Sequence, residues 1–549
     1  MRKRLLKTLW TIAVPSLLLL ATFAVFFFAK GYRFDFKDGE IERTGVISIK
    51  TAPRKASVYI DDVLVGTTPR AFSSIPTGTH TIKVVRDGYF EWSTSVTLEA
   101  EQLIPFEISL VLNEPTHTTL FPNFIDTEFN TTVLSFSSNE ENTKAVFSAL
   151  SIPVPPEEGS GEPAPAPVNP EESPVATLQL WSYQLTRRFW ETEAQPTLFA
   201  ELTGEFLGVN IADPSTYSTN LLVSPNGDHV LFSIQQTSTE SATQYFLLNT
   251  ESTNDSPIAL GMLEVTEKIR WSHDSQHLLF VRANELRSLN ISTLAQTILT
   301  ETSEETPASW TTNDSGTVIM LKKTATETAL QTILPTGENL TTLATYRSTG
   351  TENTETTPED TVPADEDEAL TETSDDEVSQ LLLDTTDIIV TPDSSNLILI
   401  TPEAISLYSI STNSLDIYPA VEPEFVAFSP ELTSLLYIDN DSLINELWFN
   451  PEERDPLHPY GPRTLIDVGE ELTIKTLTWH PSAHMVLFSA STQTDTDDGS
   501  LKLFALDTES QQTYQISELV STAFAPEGSE KTILAFCEEG SLCTITIQE

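Results

Sequence analysis

The chain has 549 residues, and its 29 Lys and Arg against 80 Asp and Glu give a formal net charge of -51. A surface this negative repels phosphate backbones, so the composition argues against nucleic acid as a partner. The hydrophobic content of 39% is typical of folded protein, and the length suffices for two or more domains.

The first predicted element is a long apolar helix near the N-terminus. A basic segment, residues 1–8, precedes the run Leu9–Ala29, which contains no charged residue. At about 1.5 Å per residue, such a helix would span a hydrocarbon core of about 30 Å. The flanking basic residues place the short tail in the cytoplasm. The sequence therefore predicts a single-pass cell-membrane protein, with a stem at residues 30–44 and extracytoplasmic C-terminal domains.

Residues 45–112 form the second predicted unit, a small domain of short strands. Six segments rich in β-branched residues alternate with turn residues, which is typical of a compact β-sheet domain. Asp61 and Asp62 separate two of these segments and predict a tight hairpin connection, because short Asp side chains tolerate left-handed backbone. Structural turn roles are predicted at Gly66, Thr68, Pro69, Gly78 and Gly88.

The segments SIKTAPRKASVYID, VGTTP and IPTGTHTIKVVRDGY resemble the PEGA domain, a small β-sandwich of bacterial and archaeal surface and envelope proteins. The resemblance implies a sandwich fold and assigns the turn residues to structure. The motif that gives the family its name appears here as Pro53-Arg54-Lys55-Ala56, so no function is carried over to its two middle positions. A phosphate-binding loop at Gly66–Pro69 is disfavoured, because such loops need Gly-Lys-Ser/Thr at the start of a helix.

From residue 113 to 549 the sequence repeats itself. Segments such as VSPNGDHVLF, WSHDSQHLLF, FSPELTSLLY and WHPSAHMVLF join two strand signals through a polar turn, and eight copies are found. Further strand signals follow several copies, which indicates a unit of four strands. Such a repeat is typical of a β-propeller, and the turns resemble those of TolB-like and WD-type propellers. We predict an all-β chain with eight blades, or seven if the terminal copies share one blade by strand exchange.

Two insertions interrupt the repeats. Residues 152–174 are rich in proline, and residues 348–380 are strongly acidic. Neither segment has enough apolar residues to bury a core, so both are predicted to be disordered loops.

Few residues suggest chemistry, and the sequence predicts no catalytic group and no cofactor. An acidic loop with oxygen ligands is a weak calcium candidate, and one basic-aromatic cluster is a weak binding candidate. Two cysteines flank a predicted hairpin loop, where a disulfide and two separate thiols are equally compatible with the sequence. The calcium candidates are Asp495, Asp497 and Asp498, and the basic-aromatic cluster is Arg187, Arg188, Phe189 and Trp190. The two cysteines are Cys537 and Cys543.

The leading functional hypothesis is a non-enzymatic binding or scaffolding protein of the cell envelope, with the propeller as its binding head. Envelope proteins or glycans are its expected partners. Two alternatives remain open at this point: an extracellular propeller enzyme acting on glycans, as hydrolase or lyase, and a purely structural cell-surface component. The fold class alone does not choose among them.

Overall fold

The computed structural model describes most of the chain outside its N-terminal segment and several loops. The residues described are 14–22, 32–34, 41–119, 129–139, 143–153, 176–185, 196–237, 243–252, 256–262, 269–282, 285–301, 309–313, 315–323, 327–347, 382, 384–391, 395–410, 412, 414–430, 433–439, 443–448, 461–469, 472–482, 484–492, 501–519, 524–526, 532–536 and 542–548.

The prediction of a membrane-spanning helix at residues 9–29 is wrong. Residues 14–22 are helical. None of the helices described is long and apolar enough to cross a membrane. This finding contradicts the predicted single-pass localisation. Residues 9–13 and 23–29 lie outside the described residues.

The small domain is a sandwich of two four-stranded sheets. Its strands are β1 (Tyr32–Phe34), β2 (Ile41–Ala52), β3 (Ser57–Ile60), β4 (Val63–Thr67), β5 (Arg70–Pro76), β6 (Gly78–Val85), β7 (Trp92–Leu98) and β8 (Leu103–Ser109). In the first sheet β2 pairs with β1, with β5 and, in parallel, with β8; the second sheet has the order β4-β3-β6-β7. Alternate residues of β3 and β6 are buried between the sheets, as a period of two requires.

Several turns of the sandwich have left-handed backbone. Asp61 and Asp62, between β3 and β4, both have positive φ, at 50° and 62°. This is the left-handed pair that a two-residue hairpin requires. Gly66, Gly78 and Gly88 also lie at positive φ. β1 and the start of β2 fall within the segment that the sequence assigns to a stem.

The rest of the described chain forms eight successive four-stranded antiparallel sheets, named blades 1 to 8, which make up the propeller. Blade 1 consists of β10 (Phe129–Ser138), β11 (Lys144–Pro153), β12 (Thr177–Gln184) and β13 (Thr197–Thr203), and blade 2 of β14 (Tyr217–Val223), β15 (His229–Gln236), β16 (Gln244–Asn249) and β17 (Ile258–Met262). Blade 3 consists of β18 (Ile269–Trp271), β19 (His277–Arg282), β20 (Glu285–Asn290) and β21 (Gln296–Glu301), and blade 4 of β22 (Ser309–Thr312), β23 (Val318–Lys323), β24 (Glu327–Ile333) and β25 (Thr341–Arg347).

Blades 5 to 8 continue the same order. Blade 5 consists of β26 (Asp387–Val390), β27 (Asn396–Ile400), β28 (Ala404–Ser409) and β29 (Ser414–Pro419), and blade 6 of β30 (Glu424–Phe428), β31 (Ser434–Asp439), β32 (Leu443–Trp448) and β33 (Gly461–Asp467). Blade 7 consists of β34 (Leu472–Trp479), β35 (Met485–Thr492), β36 (Leu501–Asp507) and β37 (Thr513–Leu519), and blade 8 of β38 (Phe524–Pro526), β39 (Thr532–Phe536), β40 (Leu542–Thr546) and β9 (Thr116–Thr119). A short helix, Gly204–Leu207, and a 3₁₀ turn, Pro214–Thr216, connect blades 1 and 2.

The ring is closed by strand exchange between the two ends of the repeat region. β9 precedes blade 1 in the sequence, yet it pairs with β40 as the fourth strand of blade 8. First strands of neighbouring blades contact each other, for example β10 with β14 and β30 with β34, which places them nearest the axis. The exchange that suggested seven blades therefore completes an eighth four-stranded sheet in the part of the chain that is described. Closure of this kind removes an exposed sheet edge.

A short polar side chain in the first turns of blades 1 to 6 explains the recurring Ser, Thr and Asn of the sequence. In blade 2 the Ser224 hydroxyl accepts the His229 N–H at 2.9 Å, and in blade 3 Ser272 accepts from His277 at 3.0 Å. Thr391 does the same for Asn396. A buried N–H without an acceptor is costly, so these first turns select a short side chain with an oxygen.

The blade 6 turn provides the clearest test of this role. The Ser429 hydroxyl accepts from the N–H groups of both Thr433 and Ser434, each at 3.1 Å, and all three residues are buried. We expect Ser429→Ala to lower the free energy of unfolding by about 1–3 kcal/mol, because two buried donors lose their acceptor. Ser429→Thr, which keeps the oxygen and copies Thr391, should cost much less. Urea unfolding of the three proteins measures the difference; equal stability of Ala and Thr variants would contradict this role.

Candidate functional site

The chain passes from the sandwich directly into the core of the propeller. Val111, just beyond β8, is 2% exposed and packs with apolar residues of blades 7 and 8. The next residue, Leu112, donates its N–H to the Ile547 carbonyl at 2.8 Å. Phe90 stacks on Tyr514 of blade 7, with ring centroids 5.0 Å apart. These contacts dock the sandwich against the last two blades.

A buried hydrogen bond fixes this docking. The Trp92 Nε1–H, at the start of β7, donates to Asp507 Oδ1 of blade 7 at 2.9 Å. Ser510 donates its N–H and its hydroxyl to the same oxygen, at 2.7 and 2.8 Å. Burial raises the pKa of Asp507, while these three hydrogen bonds oppose the increase. Trp92 is 1% exposed, so the bond lies inside the junction and is sheltered from water.

Beside this contact lies a cleft that both domains line. Its volume is about 600 Å³, within the range of 300–1,000 Å³ that is typical of ligand sites. The sandwich contributes one wall through β2 and β8, and blade 7 contributes the other through its first turn. The lining residues are Lys50, Thr51, Ala52, Arg54, Pro69, Glu107, Ile108, Ser109, Pro481, Ser482 and His484.

Charged groups of both signs face this cleft. Lys50 Nζ lies 2.5 Å from Glu107 Oε1. The Lys50 ammonium lowers the pKa of Glu107 through this hydrogen bond, which outweighs the opposing effect of burial. His484 lies between two carboxylates, with Nε2 4.0 Å from Glu107 and Nδ1 3.9 Å from Glu509. Glu107 is therefore held as an anion at neutral pH, and the ion pair spans the cleft wall.

The sandwich turn and the Pro53–Ala56 motif form the rim of the cleft. Thr68 is 3% exposed, and its hydroxyl lies 2.6 Å from that of Thr51 and accepts the Ala56 N–H at 3.1 Å. Pro69 follows and lines the cleft itself. The turn therefore holds the motif in place, so that Arg54 is presented at the cleft mouth.

A second ionisable pair stiffens the hairpin side of the sandwich. His80 Nδ1 lies 2.7 Å from Asp61 Oδ2, and Nε2 lies 2.7 Å from the Pro76 carbonyl. Burial alone lowers the pKa of His80, but hydrogen bonds to Asp61 and Pro76 outweigh it, so the pKa lies above its usual 6.5. The hydrogen bond from His80, with that from the Thr81 N–H, lowers the pKa of Asp61.

This pair predicts a pH dependence of stability. A raised pKa in the folded state means that the His80 contribution is complete below about pH 6.5 and is lost as the pH rises through the folded value. We expect the difference in melting temperature between wild type and His80→Gln to be largest near pH 5.5 and smaller near pH 8.5. Thermal unfolding at both pH values measures it. A difference that grows from pH 5.5 to pH 8.5 would contradict the assignment.

On the inner strands of the propeller, Arg270 links neighbouring blades. Arg270 on β18 donates to Thr311 of blade 4 at 3.4 Å and lies 3.8 Å from Asp387 of blade 5. Its guanidinium also lies 5.8 Å from the centre of the Trp310 ring. These contacts tie three neighbouring blades together. In the described part of the chain, no three His, Cys, Asp or Glu side chains are grouped so as to hold a metal ion.

Most residues singled out in the sequence fall away from the cleft. Of the predicted turn residues, Pro69 lines it and Thr68 supports it. Cys543 is 1% exposed and disulfide-bonded, while Cys537, the other cysteine of the chain, lies outside the described residues, so their pairing stays a prediction. The calcium candidates Asp495, Asp497 and Asp498, the cluster Arg187–Trp190 and both insertions, apart from residues 152 and 153, also lie outside the described residues.

Sequence reasoning missed the residues that shape the cleft. Lys50, Arg54 and Glu107 were not candidates, and His484 lies in the polar turn of the repeat segment WHPSAHMVLF. A signal did exist: residues 45–112 carry six Lys or Arg and seven Asp or Glu, so this segment is nearly neutral in a chain with a net charge of -51.

Comparison with solved structures gives distant similarity to several propellers. Oligogalacturonate lyase in complex with manganese is 13% identical, with a TM-score of 0.39, and the match covers 61% of this chain and 92% of that chain. The WD40 domain of SCAP from fission yeast is 9% identical, with a TM-score of 0.39 and coverage of 79% and 98%. TolB from Acinetobacter baumannii is 10% identical, with a TM-score of 0.30 and coverage of 62% and 75%. Scores this low carry no argument about function.

No curated protein matches the chain. Residues 44–114 match the PEGA domain, over nearly the same residues as the resemblance seen in the sequence. The chain thus combines a PEGA domain with a β-propeller.

Proposed function

We propose that this chain is a non-enzymatic binding or scaffolding protein whose ligand site is the cleft between the PEGA domain and blade 7. The observation that carries the proposal is a cleft of about 600 Å³ lined by both domains. Its walls are connected by the buried bond from Trp92 to Asp507. Because the two cleft walls are already held in place before a ligand arrives, less entropy is lost when the ligand binds.

The chemistry of the lining favours binding over catalysis. Glu107 is paired with Lys50, and its pKa is lowered. A general acid or base at neutral pH needs a pKa near 7, whereas a carboxylate with a lowered pKa stays ionised. The Thr51 hydroxyl is likewise engaged, since it donates to the Pro53 carbonyl at 2.7 Å.

Among the partners expected from the sequence, a glycan segment fits these dimensions better than a folded protein surface. A cleft of this volume matches a small ligand or a few units of a chain molecule. Stable protein interfaces instead bury about 800 Å² on each partner, usually over a flatter surface.

A thermal-shift panel tests the proposal directly. Wild type, Ala52→Trp and Ala212→Trp are each unfolded with neutral sugars, acidic sugars, dicarboxylates, phosphate and polyamines. Ala52 is exposed in the cleft, so an indole there fills it, whereas Ala212 is exposed in a blade 1–blade 2 connection. We expect at least one compound to raise the melting temperature of wild type and Ala212→Trp but not of Ala52→Trp. Equal shifts in all three proteins, or no shift in wild type, would refute the site.

A further inference from the structure

We infer that the cleft recognises its ligand through an anionic group, a carboxylate or a phosphate, which Arg54 and Lys50 bind. This inference rests on the proposed function, because it names the ligand chemistry of the same site. Two independent features carry it: the distribution of charge between the domains and the arrangement of cations around the cleft.

The cleft is lined by more positive than negative charges, whereas the molecule as a whole is strongly negative. Residues 113–549 contain 15 Lys or Arg against 69 Asp or Glu, whereas residues 45–112 are close to neutral. The lining includes two full positive charges, Lys50 and Arg54, and one full negative charge, Glu107. A local excess of cations beside a strongly acidic propeller points to an anionic ligand, since a cation would find many better sites elsewhere on the surface.

Arg54 is placed to make the principal contact. It is exposed at the cleft mouth, and within the described residues its guanidinium forms no ion pair. Its backbone is fixed, because the Arg54 carbonyl accepts a hydrogen bond from Arg86. A guanidinium presents a planar fork of donors that matches a carboxylate or phosphate in two parallel hydrogen bonds.

Lys50 provides a second positive charge, which Glu107 partly neutralises. The pair is exposed, with 66% and 52% of the two side chains accessible, so it is weak enough to rearrange. An incoming anion would compete with Glu107 for the Lys50 ammonium. Removing the Glu107 charge should therefore strengthen anion binding, while removing the Arg54 charge should weaken it. Because net charge alone would produce effects of the same signs, a distant charge change, Lys322→Gln, distinguishes a specific site from general surface electrostatics.

Isothermal titration calorimetry on the full chain tests this with phosphate, glucuronate and glucose as probes. Arg54→Gln and Glu107→Gln are compared with Lys322→Gln, which removes an exposed positive charge from blade 4, far along the ring. We expect wild type to bind phosphate or glucuronate but not glucose. Affinity should fall about tenfold or more in Arg54→Gln, rise about threefold in Glu107→Gln and stay unchanged in Lys322→Gln.

The outcomes separate this inference from the proposed function. Equal anion affinity in wild type and Arg54→Gln would overturn the inference, as would a fall in affinity with Glu107→Gln. Binding of glucose that Ala52→Trp abolishes would retain the cleft as the ligand site and reject the anionic class. Absence of any binding by wild type, in this titration and in the thermal-shift panel, would reject both.

Discussion

Replacing Trp92 by Phe should make the PEGA domain unfold before the propeller and lower the melting temperature of that domain by roughly 10 °C. The change removes the donor that reaches Asp507 across the junction. Leaving a buried acceptor without its donor costs about 1–3 kcal/mol, and each kcal/mol shifts the melting of a domain this small by about 4–8 °C. Differential scanning calorimetry of the full chain should show one transition for wild type and two for the variant.

Trp310→Phe is the matched control, because it makes the same exchange in blade 4, where Trp310 is 3% exposed and distant in sequence from the junction. It should leave a single transition. The effect of Trp92→Phe should also grow with pH, since the lost donor matters most when Asp507 is ionised. A single unchanged transition for Trp92→Phe would show that the buried bond does not couple the domains.

Replacing Arg463 by Leu should destabilise the propeller by about 3–5 kcal/mol, because it leaves a buried carboxylate without its cation. Glu446, 2% exposed on β32, accepts from Arg463 Nε at 3.0 Å and Nη2 at 2.8 Å. Arg463 Nη2 also donates to the Thr508 carbonyl of blade 7 at 3.0 Å. The pair therefore connects blade 6 to the turn that receives Trp92. Urea unfolding measures the loss.

The double variant Arg463→Leu with Glu446→Leu provides the control for this prediction. Once both charges are removed, no uncompensated ion is buried, so much of the lost stability should return. Arg463→Lys should lie between wild type and Arg463→Leu, because an ammonium cannot form the two-pronged contact. A double variant no more stable than Arg463→Leu alone would contradict the proposed cause.

The repeat architecture could be predicted from sequence because its physical causes are local. Several first turns need a short side chain with an oxygen, as at Ser224, Ser272 and Thr391, and the strands that follow them are apolar. Such requirements recur at a regular spacing and are visible without a structure. The closing strand β9 could not be found in this way, since its four residues THTT are all exposed and carry no apolar pattern.

The domain junction could not be predicted, because its causes are not local. Trp92 and Asp507 are 415 residues apart, and no spacing rule connects them. Trp92 by itself is typical of a sandwich core residue, and Asp507 of a hairpin turn. The apolar run at residues 9–29 shows the converse error: its composition alone predicted a membrane-spanning helix, whereas none of the helices in the described part of the chain is long and apolar enough to cross a membrane.

The cleft depends on the same long-range contacts. Arg54 and His484 become neighbours only when the PEGA domain docks on blade 7. Sequence reasoning assigned Arg54 to a degenerate motif and His484 to a repeat turn, and both assignments describe the local backbone correctly. The functional hypothesis arises from their juxtaposition, which requires the tertiary structure.

Hydrogen exchange of the full chain with and without saturating phosphate tests most directly whether both domains form one ligand site. If both domains form one ligand site, we expect phosphate to increase protection in two separate segments at once, residues 50–56 of the PEGA domain and residues 479–486 of blade 7. In Ala52→Trp, phosphate should increase protection in neither segment. Protection confined to one domain, or located only elsewhere in the propeller, would contradict it.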